Sequence, residues 1–313
     1  MRILLFPAIK EPWLSRLREI SADLEVLVAA DETEAVEAIG EVEALFGRLT
    51  PAMLANAEKL QWVQAPSIGL EGYIFPELVA SDVVLTNMRG TFSDHIADTV
   101  FAYILTFARG LHVYRRQQTD HVWQPGAPIQ YLPESTLGIV GLGMIGGEVA
   151  RRGRFFGMRV VAVDPTPKGD TSLAEKIWDV DGLVEMLGQA DFVVICAGHT
   201  PTTKGLFGPA QIGAMKPSAY LINIGRGAVV QLGALTEALQ AGSIAGAALD
   251  VFEQEPLPAD HPLWDMDNVI ITPHVSDTGP YVPERQMELF LENARRFVAG
   301  QPLLTIVDKA QWC

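Results

Sequence analysis

Three polar residues in the second half of the chain could do chemistry together: Arg226 in NIGRGAVV, Glu255 in DVFEQEPLP and His274 in ITPHVS. Each follows a run that reads as a strand of one sheet, and they stand 29 and 19 residues apart. Hydride reduction of a 2-keto acid needs a cation that holds the carboxylate and polarises the ketone. It also needs an acid that protonates the oxygen as hydride reaches carbon. Arg226 suits the first role, because a planar guanidinium grips two oxygens and stays charged. His274 suits the second, as the side chain that titrates nearest neutrality. Glu255 on the far ring nitrogen would orient the imidazole and favour its protonated form. Singly each has a plainer reading: a surface arginine in a G-R-G turn, a solvated loop acid, a buried histidine satisfied by backbone. Their joint placement is what points to a hydride-transfer site.

Such a site needs a hydride carrier, and residues 137–164, LGIVGLGMIGGEVARRGRFFGMRVVAVD, read as strand, turn, helix and strand around Gly141-x-Gly143-x-x-Gly146. Gly141 permits the tight turn, Gly143 lets a pyrophosphate approach the main chain, and Gly146 lets the helix pack on the strand. Met144 and Ile145 complete the turn. Asp164 closes the second strand 18 residues after Gly146, where a carboxylate accepts from the adenosine ribose hydroxyls and repels a 2′-phosphate. The cofactor expected is NAD. Lys168, just past Asp164, could favour a phosphate instead, so NADP remains possible.

The elements that must position these groups follow from periodicity. Strand-like runs Ile3–Phe6, Leu24–Leu27, Ala44–Phe46, Trp62–Gln64 and Val83–Thr86 alternate with helical ones, which means a parallel sheet with covering helices. One long connecting helix is expected from His95 to about Gln117, followed by a Trp-Pro-Gly-rich loop over 123–134. Beyond Asp164, strands are expected at Phe192–Cys196, Ala219–Ile224, Ala245–Leu249 and Val269–Ile271. The loops after them lie where doubly wound sheets hold ligands. A last helix, about Pro283 to Ala299, carries an apolar stripe (Met287, Phe290, Leu291, Ala294, Phe297, Val298) and is expected to return to the first domain.

Composition bounds the rest. At 313 residues with 49% apolar content, two packed cores are the default. A net charge of −15 and a pI near 4.8 argue against nucleic acid and anionic membranes as partners. Ile96 to Ala108, bounded by Asp98 and Arg109, is too short to span a bilayer and reads as a buried helix. The N-terminal MRILLFPAIKEPW lacks a signal-peptide core, so a cytoplasmic location is expected. Cys196 and Cys313 suggest reduced thiols rather than a disulfide framework. The six histidines show no metal-ligand spacing, so no metal is expected.

The fingerprint GLGMIG, then NIGRGAVV, DVFEQEPLP and TPH in that order, resemble the D-isomer-specific 2-hydroxyacid dehydrogenases. The likeness extends to H-I-A-D in the long helix, to CAGHTPTTKGL and to IVDK. It implies an α/β protein of two doubly wound domains, a Rossmann cofactor domain inserted into a flavodoxin-like substrate domain. Residues 1–94 completed by 284–313 would form the substrate domain and 95–283 the cofactor domain, with the active site in the cleft between them and a homodimer formed through the cofactor domain. By resemblance Arg226, Glu255 and His274 are the catalytic residues. Asp250 holds the nicotinamide carboxamide, Thr200, Pro201 and Ile224 line the cofactor with His274, and the amides of Ser67, Ile68 and Gly69 receive the substrate carboxylate. A plain turn after a strand is the other reading of Ser67–Gly69.

Two positions depart from the common pattern: Asp98 stands where many members carry glutamate, and AQWC replaces a frequent R-G-Y. The activity this implies is NAD(P)-dependent reduction of a small 2-keto acid, glyoxylate, hydroxypyruvate or similar, to the D-2-hydroxy acid. Two alternatives stand beside it. One is a dinucleotide-sensing regulator on the same fold. The other is phosphoglycerate or phosphite dehydrogenase chemistry. A formate enzyme is disfavoured, because that branch carries glutamine where Glu255 stands.

Overall fold

The computed structural model describes residues 1–311, so Cys313 lies outside the described residues. The chain divides into two units, Met1–Thr91 with the segment beginning at Pro280, and Phe92–Gly279.

The first unit is built on five short strands, β1 (Arg2–Phe6), β2 (Glu25–Val28), β3 (Ala44–Gly47), β4 (Trp62–Gln64) and β5 (Val84–Thr86). They pair in the order β2-β1-β3-β4-β5, all parallel, the flavodoxin-like winding. Helices α1 (Glu11–Arg18), α2 (Glu32–Ala38), α3 (Pro51–Asn56) and α4 (Pro76–Ala80) make the crossovers. Leu4, Leu45, Val63 and Leu85, one from each of four strands, bury against Ile39, Met53 and Leu78. Each such side chain contributes about 1.5–3 kcal/mol of transfer free energy.

The last helix of the chain spans Val282–Val298 and belongs to this unit. It buries Phe290, Leu291 and Ala294, and the Phe290 ring lies 4.5 Å from that of Phe46. The same face carries Asn293, which has no exposed surface. Its Nδ2 donates to Gln64 Oε1 at 2.9 Å and to the Leu304 carbonyl at 3.2 Å, and its Oδ1 accepts from the Leu304 amide at 2.7 Å. Beyond the helix, the Val307 amide donates to the Leu85 carbonyl. Lys309 Nζ donates to three carbonyls, those of Leu78, Ser81 and Val83, closing the end of α4.

The second unit holds seven strands: β6 (Thr136–Val140), β7 (Arg159–Val163), β8 (Lys176–Trp178), β9 (Phe192–Ile195), β10 (Tyr220–Asn223), β11 (Gly246–Leu249) and β12 (Val269–Ile271). Their order is β12-β11-β10-β9-β6-β7-β8, again all parallel. Counted from β6 this is the Rossmann winding with one strand added, and it reverses direction between β6 and β9. Ligands bind outside the carboxyl ends of strands at that reversal. The helices are α5 (Ser93–Ala108), α6 (Leu111–Thr119), α7 (Met144–Phe155), α8 (Leu183–Leu187), α9 (Pro209–Gly213) and α10 (Leu232–Gln240), and the Val282–Val298 helix is α11.

One sequence expectation needed correction, and one strand had no counterpart in the sequence reading. The single helix from His95 to Gln117 is two helices, α5 and α6, set at 72° to each other. Gly110 has φ of +64°, and a Cβ there would come within 2.6 Å of Ala127, so the left-handed link is occupied from outside by the following loop. Amphipathic periodicity runs through such a break unmarked. The edge strand β8 has three residues, one exposed and two half-buried, and so lacks the buried apolar run that marks the central strands of its sheet. No single helix among the described residues is long and apolar enough to cross a membrane.

Candidate active site

The glycine turn after β6 is shaped by close approach. Gly141 has φ of +93°, and a Cβ on Gly146 would fall 2.1 Å from the Gly141 carbonyl oxygen, so α7 can start where it does only if Gly146 is bare. At Gly143 a Cβ would meet nothing within 4 Å: the space over the turn is open. No side chain caps the N-terminus of α7, whose first amides are unsatisfied donors. Met144 is exposed there and Ile145 half-buried. A bare, open turn leading into uncapped amides fits the phosphates of a dinucleotide.

Asp164 follows β7 directly and ties two loops together. Its Oδ2 accepts from the Leu142 amide at 2.6 Å and its Oδ1 from the Thr166 amide at 2.8 Å. The Gly169 amide donates back to the Leu142 carbonyl at 2.8 Å, so the glycine turn is clasped from both sides. Each carboxylate oxygen keeps a second lone pair for a ribose hydroxyl.

The loops after β10, β11 and β12 bring three polar side chains to the same end of the sheet. Arg226 opens the β10 loop; its Nη1 donates to the Gly225 carbonyl at 2.8 Å, and its own carbonyl accepts from Asn223 Nδ2 at 3.1 Å. The next residue, Gly227, presses on the β11 loop: a Cβ there would lie 1.8 Å from the Phe252 carbonyl carbon. This backbone contact joins the Arg226 loop to the loop bearing Glu255. Glu255 Oε1 accepts from the Phe252 amide at 2.9 Å, and Oε2 lies 2.7 Å from His274 Nδ1. With Nδ1 held by the carboxylate, Nε2 is the ring atom left for proton transfer. Both side chains keep solvent access, at 44% for His274 and 37% for Glu255.

Asp250 ends β11 with no exposed surface. Its Oδ1 accepts from Thr272 Oγ1 at 2.6 Å and the Val275 amide at 3.0 Å, and its Oδ2 from the Ser276 amide at 3.0 Å. Ile224 is buried just past β10. Thr200 sits in a turn after β9, where its amide donates to Thr203 Oγ1 at 2.8 Å, and Pro201 follows on the exposed side of that turn. Cys196, of intermediate exposure, ends β9, and burial of its thiol pushes it up to about 12.

In the first unit, the carbonyls of Ser67, Ile68 and Gly69 are all hydrogen-bonded. They accept from the Met88 amide at 3.0 Å, Asn87 Nδ2 at 3.3 Å and Ser67 Oγ at 2.8 Å respectively. Among the described residues nothing accepts from the amides of Ile68 and Gly69. Sequence reasoning missed Asn87, which holds the Ile68 carbonyl, and Tyr103, whose Oη lies 2.5 Å from Thr272 Oγ1. Neither carries a local signal, since each meets its partner only in the fold.

Comparison with known proteins follows the same lines. Residues 101–276 match the family described as D-isomer specific 2-hydroxyacid dehydrogenase, NAD binding domain. The chain is 35% identical over 277 residues to a glyoxylate reductase of Korarchaeum cryptofilum, covering 85% of this chain and 82% of that one. It is also 35% identical to glyoxylate/hydroxypyruvate reductase B of Citrobacter koseri, over 87% of each chain. A D-isomer specific 2-hydroxyacid dehydrogenase of Xanthobacter autotrophicus, solved with NADPH and MES, superposes with a TM-score of 0.86 at 30% identity, covering 100% of this chain and 99% of that one. The chain belongs to the D-isomer-specific 2-hydroxyacid dehydrogenases and is an NAD(P)-dependent oxidoreductase with a Rossmann cofactor domain.

Proposed function

We propose that the protein reduces a small 2-keto acid of the glyoxylate or hydroxypyruvate kind to the D-2-hydroxy acid, with NADH preferred over NADPH. The observation that carries this reading is the 2.7 Å pairing of His274 Nδ1 with Glu255 Oε2, one loop from Arg226 in the cofactor unit. The glycine turn at Gly141, Gly143 and Gly146 with Met144 and Ile145 would hold the diphosphate, Asp164 the adenosine ribose, Thr200, Pro201 and Ile224 the sides of the site, and Asp250 the carboxamide. When bound, the reduced dinucleotide supplies the hydride. Arg226 binds the keto-acid oxygens and stabilises the charge that grows on the carbonyl oxygen. His274 gives that oxygen its Nε2 proton, Glu255 stabilises the imidazole through the exchange, and solvent reprotonates the ring.

The preference for NADH rests on the carboxylate of Asp164, which would face a 2′-phosphate with like charge. A homodimer formed through the cofactor unit is the assembly we expect. Trp123 is 100%, Phe155 85%, Tyr131 66% and Ile129 63% exposed there, which is costly surface for a lone subunit. A cytoplasmic location is part of the same reading.

The test is loss of NADH absorbance with purified protein against a panel of 2-keto acids, with NADPH in parallel. Oxidation with glyoxylate or hydroxypyruvate, faster with NADH, is the expected result. Tight NADH binding with no oxidation on any keto acid overturns it.

A further inference from the structure

The turn that carries His274 is held under strain. His274 has φ of +54°, the left-handed region, which is unfavourable for a non-glycine residue and persists only where its surroundings over-determine it. Besides Glu255 on the ring and the Thr272 carbonyl on the His274 amide, Asp250 supplies these surroundings. The Asp250 carboxylate binds the amides of Val275 and Ser276, just after His274, and the hydroxyl of Thr272, just before it. The Asp250 carbonyl accepts from the His274 amide itself at 2.9 Å.

Proton counting extends this clamp into α5. Thr272 has one hydroxyl proton, and it goes to the carboxylate at 2.6 Å, which has none to give. Tyr103 Oη, 2.5 Å from the same oxygen, must therefore donate to it. Burial raises the phenol to about 12, so it remains a donor across the neutral range. The chain of donation Tyr103 to Thr272 to Asp250 starts on a helix packed against the sheet and ends on the carboxylate that holds the histidine turn. The phenol is 5% exposed, and burying a hydroxyl is unfavourable without a partner. The hydride chemistry above makes no use of it.

We propose that Tyr103 is a positioning residue for this reaction: through Thr272 it fixes the Asp250 carboxylate in the orientation that clamps the His274 turn, and so holds the imidazole on Glu255. The proposal rests on His274 as the proton donor of the preceding reading. Its action is indirect, since Tyr103 reaches the site only through the threonine.

The test compares Tyr103→Phe, Thr272→Val, Thr272→Ser and the double variant Y103F/T272V in the full chain. Three readouts are taken: steady-state reduction of glyoxylate by NADH, amide hydrogen exchange of the Val275 and Ser276 amides without substrate, and thermal unfolding. Tyr103→Phe should lower kcat about five- to tenfold, the effect of one neutral hydrogen bond, with KM for the keto acid changed less than about twofold. Exchange at Val275 and Ser276 should quicken by about tenfold while β10 and β11 are unaffected. Thr272→Ser should keep at least about half of kcat, and the double variant should be no worse than Thr272→Val, because the two groups act in series. Wild-type kcat and wild-type exchange in Tyr103→Phe overturn the proposal, whether or not Tm falls, and so does an additive double variant. Should Tyr103→Phe fail to fold, the contrast of Thr272→Ser with Thr272→Val decides: equal losses overturn the relay. If the wild-type protein reduces no keto acid, the reading of its activity fails and exchange alone decides. Quickening confined to the 272–276 turn supports the clamp, and unchanged exchange refutes it.

Discussion

Glu255 divides its carboxylate between two duties: Oε1 takes the Phe252 amide at 2.9 Å and Oε2 meets His274 Nδ1 at 2.7 Å. The first bond fixes the carboxylate to its own loop, so the second fixes the imidazole to a rigid partner rather than to a swinging side chain. Replacing Glu255 by Gln keeps the shape but removes the charge that stabilises the protonated ring. We expect kcat to fall about 10²-fold, and His274→Asn to cost about 10³-fold, with NADH binding retained in both. Stopped-flow reduction with fluorescence titration of NADH measures both quantities. An unimpaired rate in His274→Asn would remove the histidine from the mechanism.

Arg226 is held at both ends, its Nη1 donating to the Gly225 carbonyl and its own carbonyl accepting from the Asn223 side-chain amide. A lysine supplies the charge but not the planar fork that engages two oxygens. For Arg226→Lys, kcat/KM should drop about a hundredfold, with the Tm within about 2 °C of wild type. Equal kcat/KM in the two proteins would mean that charge alone suffices.

Asn293 is a stability determinant of the first unit. Its amide satisfies both the amide and the carbonyl of Leu304 and adds a donor to Gln64 Oε1. Asn293→Ala leaves these buried groups unmatched and should cost about 2–3 kcal/mol in urea unfolding. A change below about 0.5 kcal/mol would show that water replaces the side chain.

Tyr103 also predicts an alkaline limb. Its ordinary value of 10.0 is pushed up to about 12 by burial, so the fold favours the neutral phenol. That contribution is complete below the unfolded value and is lost as pH rises through the folded one, here between pH 10 and about 12. The full difference is about 3 kcal/mol. Cys196, raised from 9.0 to about 12, acts with the same sign over an overlapping window. Unfolding free energies at pH 9 and pH 11 should diverge less in Tyr103→Phe than in wild type. An identical fall in the two proteins would assign the alkaline loss to other groups.

Some of this molecule is local and some is not. The two parallel sheets were legible because each strand is a short apolar run bounded by turn residues, and strand, turn and helix around Gly141, Gly143 and Gly146 are one continuous stretch of chain. The order of Arg226, Glu255 and His274 along the sequence placed them on successive strand ends, since a parallel sheet puts every strand's C-terminus on one edge. The break at Gly110 escaped notice because helical periodicity continues across it, and β8 because Lys176-Ile177-Trp178 is an edge strand with no fully buried residue.

Amino-acid order alone determined the residue types, their strand-end positions and the parallel character of each sheet, while the winding was implied by family resemblance. Tertiary structure alone decided which atoms pair: that Glu255 meets Nδ1 of His274 rather than Nε2, that Asp164 grips the Leu142 amide, and that a tyrosine on α5 reaches the Asp250 carboxylate through Thr272. The reason is physical. Periodicity reports which face of an element is buried, whereas a hydrogen bond depends on distances of a few tenths of an ångström between residues that are 19, 22 and 169 positions apart in the chain.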